Sequence, residues 1–217
     1  MNSTKKTARL AGILYLLGGI TAPFSLIYLP RTLVVPGDAT ATANHVRASE
    51  TLLRMGVASE LIFSIVFIFV VLTLYRLFKG VDEKQALAML TLLLISVPIS
   101  LLNVLNEIAA LNLASGADFL SVFDKHQLDA LVLLFLRLHS QGLLVAGIFW
   151  GLWLFPFGIL VMRSGFIPRV LGVFLIIACF GYLPAVLLSY SCQLTDILFP
   201  GLRWCLLLGS CRLYCGS

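Results

Sequence analysis

Charge is scarce in this sequence. Of its 217 residues, 12% are Asp, Glu, Lys or Arg, half the roughly 25% of an ordinary soluble domain. A water-soluble fold of this length could not cover its surface with so few. Cysteine is equally thin over the first 190 residues, where Cys179 stands alone. No pair shows the C-x-x-C spacing of a redox or zinc motif, and neither H-E-x-x-H nor G-x-S-x-G occurs. The odd total of five cysteines argues against a complete disulfide framework. The net charge of +5 forms no groove-lining cluster, which excludes a nucleic-acid surface. Strict alternation of apolar and polar residues is missing too, which removes a transmembrane β-barrel.

What is present is grease. Hydrophobic residues make up 60% of the chain, in runs about 20 residues long or longer, enough to cross roughly 30 Å of hydrocarbon at 1.5 Å per residue. The fold class is all-α, a polytopic transmembrane helical bundle whose main partner is the lipid bilayer. Five clear spans are expected at about 8–30, 55–78, 86–111, 139–162 and 168–190, within a transmembrane domain covering 1–190. The first run follows Lys5, Lys6 and Arg9 but is too long for the apolar core of a signal peptide, so a retained helix is expected. Amphipathic helices outside the membrane are expected at about 39–54, capped by Asp38 or Thr40, and at about 124–138. There Asp124 and Gln127 have capping-box spacing. From that cap to Met162 the helical pattern runs too long for one crossing, so a break or an outer extension is expected, with the fourth span beginning near His139. Pro98 and Pro156 predict kinks in the third and fourth spans.

Residues 191–217 form an atypical Cys-rich tail holding Cys192, Cys205, Cys211 and Cys215. Its apolar run around Leu202 to Leu213 is short and broken by Arg203 and Arg212, a doubtful sixth span. The basic residues set the orientation. With a cytoplasmic amino terminus, Lys5, Lys6, Arg9, Arg76, Lys79, Lys84, Arg163 and Arg169 fall inside, against Arg31, Arg47, Arg54, Lys125 and Arg137 outside. A multi-pass protein of the cell (inner) membrane is expected.

Five stretches in order, STKKTARLAGILYL, VPGDATATA, SGADFLSVF, FWGLWLFPFGILV and SGFIPRVLG, resemble the bacterial membrane proteins grouped as domain of unknown function 4386. The likeness covers roughly residues 1 to 188, after which the chain departs from the ordinary sixth apolar helix of the family. The resemblance implies a small six-span membrane protein and implies no activity.

The polar side chains inside the apolar runs are the candidate centre. In the third span Ser96, Ser100, Asn103 and Glu107 are spaced 4, 3 and 4 and share one stripe, with Asn106 beside it. In the second, Gly56, Glu60 and Ser64 recur every four residues. Counting at 1.5 Å per residue places Glu60 about 27 Å above Phe78 and Asn103 about 26 Å above Ala86, a common depth. The fourth span adds Arg137, His139 and Gln141, with Arg137 and His139 as candidate partners of the two carboxylates. Glu60, Asn103, Asn106, Glu107, Arg137, His139 and Gln141 are therefore expected to line an outward-facing polar pocket that binds or passes a small polar solute, an ion or a proton. The alternative is a structural or regulatory protein in which these groups are interhelical glue, worth about 0.6 kcal/mol per hydrogen bond. His45, His126 and His139 with the two glutamates offer metal donors, but at no regular spacing, so the sequence assigns no metal and no cofactor. Ser100 and Ser140 lack a context that would make either a nucleophile. No catalytic residue is named, and no oligomeric state is read.

Overall fold

A computed structural model describes residues 23–198, together with Arg9, Gly12, Ile13, Tyr15, Leu16 and Gly19, with backbone alone for Ala185 and residues 190–198. Most of the span expected at 8–30, and the tail from 199 onward, lie outside the described residues. A π-turn, Phe24–Tyr28, leads into helix α1, Leu29–Leu33. Then come α2, Ala39–Ala48; α3, Glu50–Phe78; α4, Glu83–Ser115; α5, Lys125–Leu152; α6, Leu154–Ser164; and α7, Arg169–Leu198. Three helices, α2, α4 and α5, start where an aspartate satisfies orphan amides. Asp38 accepts from Ala41 N at 2.8 Å and Asp82 from Gln85 N at 3.1 Å. Asp124 and Gln127 bond reciprocally at 2.9 and 3.0 Å. Gly116, at φ 67°, ends α4 in the left-handed conformation that glycine adopts without a Cβ clash.

Among the described residues four helical segments are long and apolar enough to cross a membrane: Glu50–Phe78, Glu83–Ser115, Lys125–Ser164 and Arg169–Ser189. The helix α4 runs to Ser115, so Glu107 does not mark its end: eight further residues follow, about 12 Å of helix. Of the two options for the long pattern after Asp124, the structure has the extension: α5 passes unbroken through Leu138 and His139, and its extra length is covered by α2. The irregularity comes at Trp153 instead, between α5 and α6. Pro156 has no N–H for the Leu152 carbonyl, and the ladder resumes with Phe157 N to Trp153 O at 3.1 Å.

The middle of α3 is inside out by the standards of a soluble fold. On α3 the buried stripe carries Gly56, Glu60 and Ser64, while Met55, Ile62, Ile65, Phe69 and Leu72 are exposed at spacings of 7, 3, 4 and 3. An apolar stripe facing out and a polar one facing in fit a hydrocarbon surround. The helix α4 is central, packed against α3 on one side and α5 on the other, with α6 and α7 paired beside them. The core divides in two. One apolar cluster, with Leu33, Val46, Leu53, Ala110, Val132 and Leu136, fills the end near α2 and the Gly116 loop. The other, with Val70, Phe78, Met89, Leu93, Trp153 and Leu160, fills the end bearing Lys79, Lys84 and Arg163. At that basic end an Arg163–Asp82 ion pair ties the two turns together.

Candidate functional site

Between the two apolar clusters each of the three packed helices switches to polar residues. Along α3, Leu53 belongs to the first cluster and Val70 to the second, with buried Glu60 and Ser64 between. Along α4, Leu93 and Ala110 bracket Ser96, Ser100, Asn103 and Glu107, all buried. On α5, Val132 and Leu136 precede His139, and Trp153 follows it. The result is one polar layer across the bundle.

Within it, His139 Nε2 lies 3.5 Å from Glu107 Oε1 and 3.6 Å from Glu60 Oε2. The three side chains are almost fully enclosed: Glu60 and His139 are 4% exposed and Glu107 is 3%. Among the described residues, His139 is the one basic side chain within ion-pair distance of either carboxylate. Glu60 Oε2 and Glu107 Oε2 are buried without a hydrogen-bond donor. An ionised carboxylate left so costs at least a few kcal/mol. One donor atom each from Glu60, Glu107 and His139 falls within 4.8 Å of the others, close enough for all three to reach a single ion.

The amides hold this layer in register. Asn103 Nδ2 donates to the His139 carbonyl at 2.8 Å and lies 3.2 Å from His139 Nδ1. His139 Nδ1 in turn lies 3.3 Å from the Asn103 carbonyl, and Asn106 Nδ2 donates to Asn103 Oδ1 at 3.0 Å. Glu60, Asn103, Glu107 and His139 thus meet, with half-buried Asn106 bonded at the edge. Arg137 and Gln141 stand apart. Each is two residues from His139, so at 100° per residue each points about 200° around the helix from it. Arg137 is exposed and Gln141 half-buried. Arg137 therefore does not partner the glutamates; His139 alone does.

Some residues of this region escape the sequence reading. A Cβ on Gly142 would sit 2.0 Å from Asn103 Oδ1, so only glycine lets that amide lie against α5. Arg47 of α2 reaches the 1%-exposed Asp129 at 2.5 Å and the Ala114 carbonyl at 3.2 Å, strapping α2 over α4 and α5. Asp129, Val132, Leu136 and His139 are spaced 3, 4 and 3, and that stripe was the available signal for Asp129.

Two crevices flank the layer, each with room for about one water molecule. Ser25, Glu60, Ser64, Ser100 and Trp150 line the one toward the basic end. Glu107, His139, Ser140, Leu33, Leu53 and Leu136 line the other. Gly147 and Gly151 face Tyr182 and Leu183 of α7, a packing role.

Long apolar helices wrapped around a buried polar layer define a multi-pass α-helical membrane protein with an internal polar site. The chain belongs to the family described as Domain of unknown function (DUF4386), whose model matches residues 10–210. The match extends past Leu188, so most of the cysteine-bearing tail falls within the family's span. No curated protein matches the chain, and no solved structure does.

Proposed function

We propose that this protein binds a small cation or cationic solute inside the membrane, in the layer formed by Glu60, Glu107 and His139, and exchanges it with the outer side. The observation that carries this reading is the pair of buried carboxylate oxygens without donors, one on each glutamate. A purely structural role accounts for Asn103 and Asn106, whose amides bond within the bundle. It gives no reason for two neighbouring acids with a single imidazole between them.

The crevice toward α2, lined by Glu107 and His139, supports loading from the outside. Arg76, Lys79, Lys84, Arg163 and Arg169 at the opposite end support a cytoplasmic assignment for that end, in the cell membrane. Residues 8–30 are assigned as a further span, giving five, because the run is apolar and its described residues Arg9, Gly12, Ile13, Tyr15, Leu16 and Gly19 are helical.

The test is a thermal-shift screen of alkali, divalent and small ammonium cations on the purified protein and on Glu107→Gln side by side. At least one cation raises the melting temperature of the parent and leaves the variant unmoved. If every cation acts alike on both proteins, the reading is wrong.

A further inference from the structure

We propose that Glu60, Glu107 and His139 are the protein ligands of a divalent first-row transition-metal ion of the zinc type, with Asn103 orienting the imidazole. This rests on the reading of the polar layer as a cation site and names the cation. The first argument is spacing. At 3.5 and 3.6 Å the two imidazole–carboxylate separations exceed the 2.7–3.2 Å of an N–H···O hydrogen bond. They lie close to the roughly 3.3 Å that separates neighbouring ligands of a tetrahedral ion with bonds of 2.0–2.1 Å. The imidazole is thus spaced from each carboxylate as one donor from another around a shared centre, and all three donor atoms lie within 4.8 Å of one another.

The second argument is charge and donor type. Two carboxylates and a neutral imidazole sum to the charge that one divalent ion cancels, whereas a monovalent ion leaves an anion enclosed between two apolar clusters. A nitrogen donor with two oxygens suits zinc and its first-row neighbours. Calcium takes six to eight oxygens, and magnesium holds several waters in an octahedron.

Two further observations stand apart from the triad's spacing. Glu107 Oε2, an atom outside the two separations above, is unpartnered in a side chain more than nine-tenths buried, and a metal ion satisfies it without any donor. The far side of the ring is also arranged as a metal-bound histidine requires. His139 Nδ1 lies 3.3 Å from the Asn103 carbonyl and 3.2 Å from Asn103 Nδ2; in the tautomer that donates Nδ1–H to the carbonyl, the Nε2 lone pair faces the carboxylates. Asn103 Nδ2, bonded to the His139 carbonyl, holds the two helices together at that point. A flanking crevice offers space for a water as fourth ligand.

The experiment loads the chelator-stripped full-length protein with Zn²⁺, and separately with Co²⁺ as a coloured substitute. One equivalent per chain is expected, with intense visible cobalt bands of tetrahedral geometry. Both are lost in Glu60→Gln and Glu107→Gln, which retain every cysteine and every histidine, and affinity falls 10- to 100-fold in Asn103→Ala. X-ray absorption at the zinc edge of the unmutated protein needs no variant to fold: nitrogen and oxygen neighbours near 2.0 Å support the site. Sulfur neighbours at about 2.3 Å would move the metal to the cysteine tail and overturn the proposal. So would the absence of bound zinc, or equal loading of parent and glutamine variants. A different cation that still separates parent from Glu107→Gln would leave the broader reading standing while the metal fails.

Discussion

A carboxylate enclosed in a membrane bundle must find a proton, a donor or a cation, and the neighbours of Glu60 and Glu107 supply one imidazole between them. That imidazole is held in turn by the Asn103 amide, bonded to the His139 backbone. Asn103 is the chief device, and Gly142 is what admits it. Gly142→Ala is expected to push Asn103 off its hydrogen bonds and destabilise the protein by about 1–3 kcal/mol. In the background of Asn103→Ala the same change costs much less, because no amide remains to clash. A double-mutant cycle by thermal or denaturant unfolding checks both, and equal costs in the two backgrounds would show that Gly142 and Asn103 are not coupled.

The stripe arithmetic made Glu60, Asn103 and Glu107 legible, since spacings of four and three share a face and equal depth follows from 1.5 Å per residue. Gly142 was not legible. A glycine carries no pattern of its own, and its role appears only when the neighbour across the interface is known. Arg137 and Gln141 were assigned by nearness in sequence to His139, although two steps along a helix turn a side chain to the opposite face.

At the scale of elements, the amphipathic helix α2 is tied down by a pair that is half a charge in oil. Asp129 is buried, and Arg47 is its partner from the other helix. Arg47→Ala leaves that carboxylate uncompensated and is expected to cost about 2 kcal/mol, less than the 3–5 of a fully enclosed pair because Arg47 is partly exposed. Asp129→Asn in the same background recovers part of the loss. If Arg47→Ala melts with the parent, α2 is not held by this contact. The starts of α2 and α5 were readable in advance from Asp38 and the Asp124–Gln127 box, because a cap is a local event. The choice between a break and an extension near His139 was not, because the extra turns of α5 are stabilised by packing against α2, a contact about 80 residues distant in the chain that no local pattern reports.

For the whole molecule, the decisive feature is the order of layers: apolar, polar, apolar. A bundle held only by packing has no need of the middle layer, whose desolvation works against stability. Its orientation is open to a direct check. Reporter fusions at Val81 and Gly116 are expected in opposite compartments, with Val81 in the cytoplasm; Val81 outside would reverse the orientation, and a shared compartment would overturn the crossing of α4.

The claim on which the rest depends is that the polar layer is kept for a ligand and not for the fold, and the melting temperature of chelator-treated protein tests it most directly. Glu107→Gln removes one of two acids held within 4.8 Å of each other. In EDTA the variant is predicted to melt no lower than the parent, and on adding the cation only the parent gains. A variant that melts several degrees lower in EDTA, with its response to the cation intact, would show instead that Glu107 is structural.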